Sequence, residues 1–372
     1  MKPDVLFLLH LPPAIHGSAI VGLSIKESEK INHAFNGRFI NLLLSKEVND
    51  SGNLSLLKLF KALKISFQLI KVLLQKKPEV CYLALTTTGT AFFKDFLLIV
   101  LLKLFRIPLV YHLHNKGFAQ KENSSFFRKL FRFTFKDSKV IILSRQLFSD
   151  VAAYVSPEQV EICPNGVARV AGDVAPRANA VPRILFLSNL IKSKGIIVLL
   201  EACVVLKNRN CTFQCVIAGG DGDISGTQLN EMIHSLGLEE HVSYVGSKFG
   251  QEKDRVFKSA DLFVFPTYYN AETFGLVNAE AMQYRLPVVS TFEGGIPDIV
   301  EDGVTGFLVP QRDVGALADK LELLLKDEDL RNRMGQAGYQ RYENEFTQER
   351  FENRLIEIMQ RVLDEQRSIN EN

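Results

Sequence analysis

Short apolar runs alternate with helical stretches along the whole of this 372-residue chain, and the series is written twice. Residues 4–11, 38–44, 80–85, 109–113, 140–143 and 160–162 are strand-like, with helices from 18 toward 31 and over 54–75. Runs that are apolar throughout, rather than at every second position, suit strands buried on both faces. They predict a mostly parallel sheet with helices above and below it. Residues 171–182 are small, Pro-containing and aperiodic, and read as a linker. The pattern then restarts with strands at 183–187, 212–218, 241–245, 262–265 and 287–290 and helices at 195–206 and 228–236. The expectation is an α/β chain of two αβα domains, 1–170 and 183–346. A C-terminal helix within 347–372, from 347 to about 365, is free to cross back to the first domain.

Composition removes several alternatives. Five cysteines without a C-x-x-C pair suggest reduced thiols in a cytosolic protein rather than a disulfide framework. The apolar run 5–11 is broken by His10 and is short for a signal peptide, and the run 96–102 meets Lys103 and Arg106. Neither reads as a bilayer span, so the expected protein is soluble or peripheral. Charge is unevenly spread: residues 51–150 carry 17 basic and 5 acidic side chains, a net +12, whereas 181–372 carry 20 and 29. Lys58, Lys61 and Lys64 recur at three-residue steps on an apolar helix, and Arg128, Lys129 and Arg132 stand among phenylalanines. This is either an ordinary solvated face or a surface that docks on an anionic membrane. Nucleic acid is not an expected partner, because no recognition motif accompanies the charge.

In open parallel sheets, ligands bind beyond the carboxyl ends of the strands. The segment 262–308 is the richest such place. After the strand 262–265 come Glu272, Phe274, Gly275 and Leu276, then a helix bearing Glu280, then a strand starting at Pro287. The amides of Phe274, Gly275 and Leu276 would be open donors at a helix N-terminus, suited to an anion. Two glutamates eight apart are nothing by themselves; a solvated helix face supplies such pairs.

The wider context resembles the signature of the family 4 retaining glycosyltransferases of the GT-B fold. Pro266, Glu272, Phe274, Gly275, Glu280, Ala281, Met282 and Pro287 carry its E-x7-E pattern, which continues through Gly294, Gly295, Asp298, Asp302 and Gly306. Pro164-Asn-Gly-Val, Lys194-Gly195, Gly219-Gly220, His16-Gly17 and His112-Leu-His114 match further family segments, so the resemblance covers nearly the whole chain. It implies two Rossmann-like domains facing each other across a deep cleft, with a nucleotide-sugar held mainly by the second. Glu280 would take the ribose hydroxyls, and Glu272 would lie beneath the anomeric carbon. Lys194 and the amides at 274–276 would hold the diphosphate, with Gly17 permitting close approach of a phosphate. His114 would contact the sugar or phosphate, His112 less readily, and His16 the acceptor or phosphate.

The resemblance further implies retention, no metal and no cofactor. The donor would be a UDP-sugar before GDP-mannose. The acceptor would be a lipid-linked, lipopolysaccharide or capsule-type glycan at the inner face of the cell membrane. The rival readings are a same-fold nucleotide-sugar epimerase and a non-catalytic scaffold. Two positions depart from the pattern. Asn189 stands where an arginine is usual, so either Lys192 or amides must replace that cation. Arg285 stands where a glycine is usual, so either a positive φ is tolerated or the turn is rebuilt.

Overall fold

The computed structural model describes residues 2–12, 17–43, 56–87, 89–170 and 179–371. His16 and residues 171–178 of the expected linker lie outside that set. The chain divides into two units, Met1–Gly166 with Gln348–Asn372, and Val167–Thr347. In the first, β1 (Asp4–Leu9) leads into α1 (Gly17–Glu27), α2 (Glu29–Ala34) and β2 (Asn36–Asn41). Then come α3 (Leu56–Gln75), β3 (Val80–Leu85), α4 (Gly89–Leu104) and β4 (Leu109–Leu113). The series ends with α5 (Ser125–Phe135), β5 (Ser138–Ile142) and β6 (Val160–Ile162).

All six strands are parallel, in the order β2-β1-β3-β4-β5-β6. Every residue of β1 and β3 is buried, as a central strand covered on both faces requires. The single helix expected from 18 toward 31 is instead two. Ser28 adopts extended backbone and its side chain accepts from the Ile31 N–H, which caps α2 as a new helix. The connections β2 to β3, β3 to β4 and β4 to β5 all step the same way across the sheet. Right-handed crossovers therefore put α3, α4 and α5 on one face and leave α1 and α2 on the other.

The second unit runs β7 (Arg183–Leu187), α6 (Ile196–Asn208), β8 (Gln214–Ala218), α7 (Gly226–Ser235), β9 (Val242–Tyr244) and α8 (Gly250–Ser259). It continues with β10 (Leu262–Phe265), α9 (Leu276–Gln283), β11 (Val288–Thr291), α10 (Ile296–Ile299) and β12 (Gly306–Val309). Two helices, α11 (Val314–Lys326) and α12 (Glu328–Arg341), close it. This sheet is also parallel, ordered β12-β11-β10-β7-β8-β9. Arg285 keeps the positive φ of the usual glycine, +55°, so the turn before β11 is not rebuilt. An L-residue there costs about 1–2 kcal/mol, and its guanidinium, 4.8 Å over the Tyr339 ring, offsets part of that.

The last helix, α13 (Gln348–Glu371), belongs to the first unit. Phe351, Leu355, Ile358, Met359, Val362 and Leu363 fall on one face at helical spacing. They are buried in one core with Val5, Phe7 and Val21. Rim ion pairs such as Arg361–Glu161 and Lys139–Glu365 are exposed and contribute little beside that burial. All five cysteines are buried and unpaired. Burial pushes the Cys163 thiol up to about 12, so it stays protonated and unreactive. Among the described residues, no helix is long and apolar enough to cross a membrane.

Candidate functional site

Strand order in the second sheet reverses between β7 and β10, and the loops leaving those two strands diverge at that point. Such a switch point opens a crevice at the carboxyl edge of a parallel sheet. Lys194 follows β7 and Glu272 follows β10, and their side chains meet there at 2.5 Å, both mostly buried. The Lys194 ammonium also lies 4.5 Å from the Tyr269 ring centroid and 5.5 Å from that of Phe265. Eight residues beyond Glu272, on α9, Glu280 accepts from Lys253 of α8 at 2.6 Å. Each glutamate is thus held by its own lysine, and a carboxylate so held keeps lone pairs for a ligand's hydroxyls.

Backbone bonds stitch these loops together. The Tyr268 N–H donates to the Ser193 carbonyl at 2.8 Å, and the Ser290 and Thr291 hydroxyls donate to the Phe265 and Thr267 carbonyls. Gly195, at φ +91°, lets the β7 loop lie on Pro266, whose carbonyl would be 2.1 Å from any Cβ there. Gly294, at φ +55°, does the same beneath Glu272.

One expected donor is not open. The Gly275 N–H bonds to the Glu272 carboxylate at 3.0 Å, because Glu272 sits three residues before it and caps the helix entrance itself. Phe274 is buried against Phe346, so only its backbone faces a ligand, and Leu276 begins α9. Asn189 is exposed just beyond β7 and brings no cation. Lys192 lines a separate hollow of about 600 Å³ with Asp223, Gln228 and Glu231, so it does not supply the missing charge beside Lys194.

In the first unit, the order reverses between β1 and β3. Gly17 opens α1 there, exposed, with space around it. A polar network that sequence reading missed surrounds the same edge. His10 Nδ1 lies 2.7 Å from the Ser18 hydroxyl, and the Thr86 N–H donates to Asp95 at 3.0 Å. Asp95, fully buried, pairs with Lys94 at 2.9 Å, and Lys94 donates to the Leu42 carbonyl. Two adjacent charges inside an otherwise apolar helix, and a histidine inside an apolar run, were the signals to read. His114 follows β4, partly exposed, its ring 4.1 Å from that of His112. His112 is fully buried with Nδ1 at 2.5 Å from the Tyr82 hydroxyl, and burial holds it neutral. Of the cationic candidates, Lys64, Arg128, Lys129 and Arg132 are exposed; Lys61 lies in α3 with its side chain outside the described residues. A cavity of about 750 Å³ opens at the opposite edge of this sheet, beside Pro108, Ser138 and Arg132, away from Gly17, His10, Asp95 and His114.

Lys253 was invisible in the sequence, one cation among the many charges of α8. On the ribose-binding role that the resemblance implies for Glu280, Lys253→Met should raise the KM for a nucleotide-bearing ligand about five- to tenfold at unchanged kcat, a loss of about 1 kcal/mol. Lys253→Arg should restore it. An unchanged KM would mean that Glu280 needs no holding.

Residues 174–341 match the family described as Glycosyl transferases group 1. The amylovoran biosynthesis glycosyltransferase AmsK of Erwinia amylovora is 36% identical over 184 residues, 48% of this chain and 45% of that protein. The chain spans 37–45% of the length of three curated relatives it matches. A solved glycosyltransferase from Rickettsia africae ESF-5 aligns over 97% of this chain and 99% of its own, with TM-score 0.79 and 18% identity. Anabaena Alr3699/HepE in complex with UDP-glucose aligns over 96% and 99%, with TM-score 0.69 and 18% identity.

Proposed function

We propose that this chain, whose fold is that of the GT-B glycosyltransferases, is a retaining glycosyltransferase. It moves a sugar from a UDP-sugar to a lipid-linked, lipopolysaccharide or capsule-type glycan, peripherally bound at the inner face of the cell membrane. The observation that carries the reading is the pair of lysine-held glutamates, Glu272 and Glu280, at the sheet's switch point. Support for the donor and acceptor classes comes from a fold neighbour in complex with UDP-glucose and from relatives named for amylovoran biosynthesis and for capsular polysaccharide biosynthesis.

The steps follow from the residues. The diphosphate enters beside Lys194 and the amides of Phe274 and Leu276, and takes the ammonium from Glu272. The freed carboxylate then accepts from the sugar's hydroxyls and lies under the anomeric carbon, where its charge favours the developing oxocarbenium ion. Glu280 accepts from the ribose. The bond from the anomeric carbon to the phosphate oxygen breaks, and the acceptor oxygen bonds on the same face. The acceptor proton passes to the departing phosphate, so neither a metal nor a protein base is required. Acceptor binding falls to the first unit, with His16 contacting acceptor or phosphate, Gly17 permitting close approach of a phosphate and His114 donating to sugar or phosphate.

The test is a panel of nucleotide-sugars scored by thermal shift and by transfer. One UDP-sugar present at about 100 times its Kd should stabilise the protein by about 2.7 kcal/mol, and the product should keep the donor's anomeric configuration. No shift with any nucleotide-sugar, or an inverted product, defeats the reading.

A further inference from the structure

The outer surface of α3, α4 and α5 is the strongest feature that the catalytic reading leaves unused. These three helices cover one face of the first sheet and neighbour each other. The helix α3 packs on α4, while Phe93 and Phe96 of α4 meet Phe127 and Phe133 of α5 at 6.1 and 5.6 Å between ring centroids. Each presents large apolar side chains to solvent at seven-residue steps: Phe60, Phe67 and Leu74; Leu97 and Leu104; Phe126 and Phe133. Seven residues are about two helical turns, so each set forms one stripe. All are 40–72% exposed, against the near-complete burial of the helices' inner faces.

Three adjacent stripes make a broad apolar surface, wider than the single seam that a partner helix would fill. Its charge chooses the occupant. Lys64 and Lys71 on α3, and Arg128, Lys129 and Arg132 on α5, are exposed, and neither helix contains an Asp or Glu. An apolar face fringed mainly by cations complements a bilayer with anionic headgroups. We propose that this three-helix face embeds in the acyl boundary of an anionic membrane, with the aromatic and leucine side chains inserted and the cations at headgroup level. The glycosyltransferase reading supplies only its purpose, access to a lipid-borne acceptor; membrane partition and sugar transfer can each fail alone.

The experiment uses the full chain and vesicles of phosphatidylcholine with about one third phosphatidylglycerol. Insertion predicts that much of the bound protein stays bound at about 1 M sodium chloride, where screening removes surface electrostatics. Phe67→Ser/Leu74→Ser/Leu104→Ser should lower partition at least about tenfold, with donor-induced thermal shift unchanged because these residues lie outside the donor site. The chain contains no Trp, so Phe67→Trp supplies a sole reporter. Its emission should shift blue and be quenched by brominated lipid, while that of Leu323→Trp on the second unit should not. Wild-type partition by the triple variant, complete release by salt, or unquenched emission from the Phe67→Trp variant would each overturn insertion. So would a solution dimer that the triple variant turns into monomer without losing vesicle binding, since the stripes would then be a seam between copies.

Discussion

Glu272→Ala should lower kcat by about a hundred- to a thousandfold while the protein remains folded. The size is that of removing one preorganised electrostatic group from a site where charge develops. Glu272 is expected to act mostly in the transition state, since the sugar carries positive charge only as its bond to phosphate breaks. The loss should therefore appear in kcat and in kcat/KM alike. Glu272→Gln separates shape from charge: its single amide oxygen can keep the cap on Gly275 but cannot also accept from Lys194, and it should still lose most of the rate. In the free protein both variants leave Lys194 without its partner. Lys194 is mostly buried, but its ammonium lies over the Tyr269 ring, so the stability cost should be about 1–3 kcal/mol. Circular dichroism and a melting curve check the fold, and a radiolabelled or coupled assay checks turnover. Turnover near wild type in Glu272→Ala would sink the assignment.

The parts of this molecule that could be read ahead of its coordinates are those whose physics is local. Strands β3 and β10 are apolar from end to end, and β1 is so after Asp4, because both faces are covered, and a run of that kind has few other uses. Ligands of open parallel sheets bind beyond the strands' carboxyl ends, so Glu272 and Glu280 could be singled out as candidates before their geometry was known, whereas Lys194 stands out only through the family resemblance. What escaped depends on partners distant in sequence. Lys253 meets Glu280 across 27 positions, and nothing in α8 distinguishes it from Lys258 or Arg255. Asp95 pairs with its neighbour Lys94, yet its burial follows from how α4 lies on the sheet. The Gly275 amide looked open because a helix N-terminus usually is; that Glu272 would turn back on it is a side-chain choice which spacing does not dictate. Ser28 illustrates the reverse case, a helix break carried by one capping side chain within an apparently continuous pattern.

Gly294→Ala should damage both fold and catalysis, and it does so without touching any ligand. At this residue φ is +55°, and a Cβ would lie 2.3 Å from the Glu272 carbonyl oxygen and 3.2 Å from that of Thr273. The first is an overlap with backbone, which no rotamer change relieves. The left-handed conformation alone costs about 1–2 kcal/mol for an alanine, and the forced separation brings the expected loss to about 2–4 kcal/mol. The neighbouring bond from the Gly295 N–H to the Thr273 carbonyl, 2.8 Å, ties the two loops, so the displacement passes directly to Glu272. Since about 1 Å of misplacement can cost a hundredfold in rate, kcat/KM should fall by at least that order even at a temperature where the variant is fully folded. Gly303→Ala is the matched control. Its φ is +77° and nothing lies within 4 Å of its Cβ, so it bears the conformational cost without the collision. Denaturant titration of both variants beside steady-state rates separates the effects. Equal stability losses with full activity in Gly294→Ala would show that the close approach of these two loops is not what positions the glutamate.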